Sequence, residues 1–138
     1  MAVVLDTSVV VALMVAGEPD HEAVRGWVET LDDDLITTPL AVAEMDHLIA
    51  ARGGPEASYH LWNDFAAGAY GVRWWADALA ESIAIARAAP RLGLTDASLV
   101  ALAARLSTTS IATLDHRHFR TLTTPAGEPF VLLPADAT

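Results

Sequence analysis

Four acidic residues stand where a carboxylate is hard to accommodate. Asp6 closes the apolar start of "MAVVLD" and is followed almost at once by a second apolar run, "VVVAL". Asp115 closes a run of similar design, "SIATLD". Asp96 lies near the start of "LTDASLVALAARL", among apolar and small residues, and Glu44 sits between Ala43 and Met45 in a segment poor in charge. Burying an unpaired carboxylate costs on the order of several kcal/mol, so such a group is neutralised, hydrogen-bonded or holding a cation. Each has a simpler reading taken alone. Asp6 would cap the helix starting near Val9, Asp96 would favour the positive end of its helix dipole, and Glu44 would be a surface glutamate. Three or four carboxylates brought together form an oxygen-ligand site suited to Mg²⁺ or Mn²⁺.

The elements around these acids must bring them together. Val3-Val4-Leu5 is a short unbroken apolar run, the pattern of a strand buried on both faces. Residues 8–16 read as a short apolar helix ended near Gly17, and residues 19–31 carry Val24, Trp27, Val28 and Leu31 at helical spacing. Leu35-Ile36-Thr37 reads as a short strand. Thr38 as N-cap and Pro39 at the first helical position open a helix that ends at Gly53-Gly54, and Pro55 begins another towards Gly68. "YGVRWW" is strand-like, "ADALAESIAIARAA" is helical, and Thr95 is the expected N-cap of the next helix. "TSIATLD" and "FVLLP" are the later strands. Strands separated by helices predict an α/β sandwich with a mainly parallel sheet. In such sheets ligands bind outside the carboxyl ends of the strands, so Asp6 and Asp115 share one edge if their strands are neighbours.

Composition narrows the function. The 138 residues are 53% hydrophobic and 19% charged, which predicts one compact domain over residues 1–138. Cysteine is absent, which removes disulfides and thiolate metal sites. No stretch reaches the ~18 apolar residues needed to span a bilayer, and the first charge is Asp6 rather than a basic signal-peptide region; a cytoplasmic protein is expected. The formal charge of −10 opposes general electrostatic coating of nucleic acid. All eight basic residues are arginines, five of them from Arg87 onward, which leaves room for one local arginine-lined face. Asp32 to Asp34 read as a solvated turn. A phospho-acceptor module also clusters aspartates at strand ends, but it would want a lysine, and this chain has none.

Four segments, "VVLDTSVVVAL", "AVAEMDHLI", "LTDASLVALAARL" and "SIATLDHRHF", together resemble the PIN-domain family, and within it VapC-type toxins of bacterial toxin–antitoxin pairs. The resemblance covers essentially the whole chain. It implies a three-layer α/β/α PIN-like fold in which Asp6, Glu44, Asp96 and Asp115 form an acidic quartet that is both catalytic and metal-binding, with Mg²⁺ as cofactor and Mn²⁺ as a substitute. Ser8 matches a small polar position after the first Asp. Thr113 matches a hydroxyl position that strand alternation puts on the face of Asp115. The implied activity is metal-dependent endoribonuclease cleavage by an activated water, with Arg117, His118, Arg91 and Arg120 as candidate RNA phosphate contacts. The alternative is a catalytically inactive PIN-like module that binds RNA or protein. The resemblance further implies a small cognate antitoxin, an RNA substrate and a homodimer.

One position departs from the family pattern. Where many relatives carry an acid three residues after the last Asp, this chain has His118, open to a second metal, a phosphate contact or a turn cap. Other signals are weaker. Glu44 and His47 match one copy of a di-iron spacing that needs two, His21-Glu22 lacks the second histidine of a zincin helix, and His116 with His118 has no third partner for zinc. Trp27, Trp62, Trp74 and Trp75 are expected in the core. Residues 39–52 and 55–69 carry Leu40, Val42, Met45, Leu48, Ile49, Leu61, Trp62 and Phe65, either for the core or for a groove that takes a partner helix.

Overall fold

The computed structural model describes residues 1–137. Five short strands, β1 (Ala2–Leu5), β2 (Asp34–Thr37), β3 (Gly71–Val72), β4 (Ser110–Ala112) and β5 (Val131–Leu133), form one sheet in the order β3-β2-β1-β4-β5. Every pairing is parallel, as strands joined through helices require. β1 lies at the centre, with Val3 opposite Leu35 on one side and Leu5 opposite Ala112 on the other. Being covered on both faces, it is apolar throughout, and Val3, Val4 and Leu5 are buried.

Six helices, α1 (Thr7–Met14), α2 (His21–Thr30), α3 (Pro39–Ala66), α4 (Ala78–Ala88), α5 (Leu94–Arg105) and α6 (His116–Phe119), flank the sheet in a three-layer arrangement. α5 buries every residue from Ala97 to Ala103, which explains why its sequence is apolar all round rather than on one stripe. α3 contains the expected break: Gly54 sits at φ 76°, a conformation that side-chain-bearing residues resist, and Pro55 follows it. Gly53 is needed for a different reason, since a Cβ there would come within 2.7 Å of the Ala57 Cβ. Thr38 caps α3 by accepting from the Ala41 amide at 3.4 Å. Among the described residues no helix is long and apolar enough to cross a membrane.

Several expectations need correction. α5 starts two residues earlier than Thr95 would allow; Gly93, at φ 76°, is its N-cap and Thr95 lies inside it. The strand expected through "YGVRWW" is only Gly71–Val72, because β3 is an edge strand with one partner. Asp34 opens β2 rather than belonging to a turn, and Asp33 pairs with the N-terminal amine. Trp62 and Trp74 are 52% and 41% exposed, so they are not core; the Trp62 indole donates to Asp46 at 2.6 Å instead. In α3, Met45, Ile49 and Leu61 fill the chain's own core, with Leu48 and Phe65 packed against it.

Candidate active site

The sheet reverses direction at β1: the chain builds outward through β2 and β3, then crosses over to β4 and β5. Loops leaving two central strands at such a point diverge and open a crevice at their carboxyl ends. Asp6 immediately follows β1, and Asp115 follows β4 by one turn of loop. Glu44 enters from α3 and Asp96 from the first turn of α5. All four acids line one cavity of about 380 Å³, together with Ser8 and His118. Four elements distant in sequence thus contribute one carboxylate each.

Asp6 is 4% exposed. Although it occupies the N-cap position of α1, its carboxylate does not cap that helix. Its Oδ2 accepts from the Ser8 hydroxyl at 2.8 Å and the Thr113 hydroxyl at 2.7 Å. Each hydroxyl is itself held by a backbone amide: Leu114 N donates to Ser8 Oγ and Asp115 N to Thr113 Oγ1, both at 2.9 Å. Burial pushes the Asp6 carboxyl above its ordinary range, and the two hydroxyls and the Thr7 amide only partly offset this.

Asp96, Asp115 and His118 form a second group. His118 Nδ1 lies 2.9 Å from Asp115 Oδ2 and 3.1 Å from Asp96 Oδ2. The three side chains offer ligand atoms all within 4.8 Å of one another. One imidazole nitrogen, with at most one proton, faces two carboxylate oxygens. Burial first, and the charge of Asp6 second, raise the Asp96 carboxyl to about 7, against the opposing pull of His118. Among the described residues none of the four acids pairs with an arginine, and the only basic group in ion-pair contact with them is His118, at Asp96 and Asp115. Carboxylates gathered in a cleft without guanidinium partners are a donor set that fits a hard divalent cation.

The arginines are placed unequally. Arg91 and Arg117 line a separate cavity of about 760 Å³ that also contacts His118. Arg120 is elsewhere engaged, its Nη1 donating to Asp136 at 2.7 Å while Nη2 bonds the other oxygen. It holds the Asp136 carboxyl down to about 2. Sequence reading missed Arg52, which lines the acidic cavity and pairs with Glu18 at 3.0 Å. The signal was there: Glu44, Leu48 and Arg52 recur every four residues, one helical face.

Residues 3–123 match the PIN domain family, and the chain belongs to it. Within that family it is of the VapC toxin type, being 37% identical to Ribonuclease VapC26 of Mycobacterium tuberculosis over 95% of this chain and 99% of that protein. Two solved structures share the fold. VapC20 of M. tuberculosis, a sarcin-ricin loop cleaving toxin, superposes with a TM-score of 0.76 at 18% identity, covering 84% of this chain and 92% of its own. FitAcB of Neisseria gonorrhoeae superposes at 0.59 and 22% identity, covering 86% and 91%.

Proposed function

We propose that this chain is a metal-dependent endoribonuclease, the toxin of a type II toxin–antitoxin pair, acting in the cytoplasm as a single domain over residues 1–138. The observation that carries the reading is the convergence of Asp6, Glu44, Asp96 and Asp115, unpaired with any arginine, on the cavity at the sheet's switch point. These four would hold Mg²⁺, or Mn²⁺ in its place. When bound, such a cation neutralises charge on a scissile phosphate and lowers the pKa of a water. Ser8 and Thr113 fix the direction of the Asp6 carboxylate, and His118 fixes Asp96 against Asp115. Arg91 and Arg117 contact RNA phosphates beside the cleft. Arg120 is spent on Asp136 and takes no part. The acidic cleft also suits an arginine of a small cognate antitoxin, which would compete with the metal for the carboxylates. The toxin is proposed to be a homodimer.

The test is cleavage of structured RNAs by the purified protein with Mg²⁺ or Mn²⁺ and with EDTA. Cutting that depends on the metal is expected. Equal cutting in EDTA would overturn the mechanism, and metal binding without cutting would leave an inactive binding module.

A further inference from the structure

Two of the four arginines that the described residues leave unpaired stand together next to the acidic cleft. Arg25 pairs with Glu29, Arg52 with Glu18 and Arg120 with Asp136, while Arg105 lies over the Trp75 ring at 5.3 Å. Of the remaining four, Arg91 and Arg117 line the same cavity of about 760 Å³. Two guanidiniums without carboxylate partners among the described residues, in a chain of charge −10, mark a place built to receive an anion. Ala88, Ala89, Pro90, Leu92 and Leu122 make an apolar wall between them, and Thr121 and His118 complete the lining. A surface combining an apolar wall with guanidinium planes fits a nucleobase, which stacks on arginine as well as on aromatic rings. The volume lies within the roughly 300–1,000 Å³ of small-ligand sites. His118 lines this cavity and the acidic cleft alike, so a strand can pass from one into the other.

We infer that this cavity receives one unstacked nucleotide of the RNA adjoining the scissile phosphate, with Arg91 and Arg117 on its phosphates and the apolar wall against its base. The inference rests on the ribonuclease reading and adds a base-binding subsite to it. A base inside a duplex is stacked and cannot enter, so the nucleotide bound here is an unstacked one.

The experiment titrates the full-length protein, in EDTA, with AMP, GMP, CMP and UMP and with ribose 5-phosphate, following backbone amide signals by NMR. Nucleotides should move signals of residues 88–92 and 117–122 and bind about tenfold more tightly than ribose 5-phosphate, as base stacking would give. Arg91→Ala and Arg117→Ala should each weaken nucleotide binding about tenfold. Ala88→Trp, on the cavity wall at the end of α4, should abolish the gain from the base and leave ribose 5-phosphate binding intact. Equal binding of nucleotides and ribose 5-phosphate, or shifts confined elsewhere, overturns the pocket. A protein that cuts RNA with Mg²⁺ but shows no base-dependent shift loses the pocket alone. One that binds nucleotides here but cuts no RNA loses the nuclease reading and keeps the nucleotide site.

Discussion

Asp6 and Asp115 look alike in sequence, each an aspartate closing an apolar strand, yet the fold treats them oppositely. Asp6 is almost wholly enclosed and fixed by two hydroxyls that backbone amides hold in turn. The Asp115 side chain is 39% exposed and shares a histidine with Asp96. The difference comes from the strands: α1 begins directly after β1 and covers Asp6, whereas β4 ends short of Asp115 and leaves it on a turn. One acid is a fixed anchor, the other an adjustable partner. A cation site needs both, since rigid placement sets geometry while an open position admits substrate and water.

Removing the anchor should have the largest effect. Asp6→Asn is expected to abolish metal binding and RNA cleavage, read by calorimetry and by product formation. It should also raise the apo melting temperature, because a neutral amide avoids the cost that lifts the Asp6 carboxyl above its ordinary range. Wild-type cutting by this variant would remove Asp6 from the site.

Thr113→Val probes how the anchor is held, and ranks next. It removes one donor to Asp6 and the acceptor of the Asp115 amide together, so both ends of the comparison loosen. Loss of about 1–3 kcal/mol is expected in urea denaturation, with metal affinity roughly tenfold weaker. Unchanged affinity would show that the hydroxyl does not orient Asp6.

The acids themselves were legible because a carboxylate at the end of a buried run is anomalous in any fold. Strand adjacency was legible in part, from strands alternating with helices. What escaped depends on tertiary partners that local patterns do not encode. Gly93 displaced Thr95 as the cap of α5 because the entering chain takes a left-handed conformation there. Trp62 stayed outside because Asp46, on the other half of α3, offered its indole an acceptor. Arg120 sits only two residues past His118, yet it turns to an aspartate 16 positions further on.

The pH response should separate the two groups of acids more finely. In the metal-free protein Asp96 titrates at about 7, above its ordinary 3.8. A raised carboxyl favours folding when protonated, so that stabilisation is full below about 3.8 and is lost as pH rises through 7. Metal binding runs the other way, because the ligand must be deprotonated, and affinity should fall up to about tenfold per unit below pH 7. Asp96→Asn should flatten the melting-temperature profile measured in EDTA between pH 5 and 8. A profile identical to wild type would refute the assignment.

The smallest effect belongs to Arg120→Ala. Its partner Asp136 titrates at about 2, so the pair helps stability above pH 3.8 and loses that help as pH falls through 2. Cleavage should be unchanged, with a slightly lower melting temperature at neutral pH. A large drop in cleavage would return Arg120 to the RNA contacts.

The hydroxyl of Thr113 reaches the carboxylate of Asp6 across 107 residues of chain. β1 therefore cannot acquire its inner neighbour β4 until about a hundred further residues have been made, a wait of roughly 5–20 s at ordinary rates of synthesis. During that interval Asp6 has neither Thr113 nor Asp115 beside it, and the cleft does not exist. Contacts of such long separation form late and together, because loop closure must be overcome before any of them is rewarded. A cleft assembled from segments so far apart stays unformed until the later one has been translated.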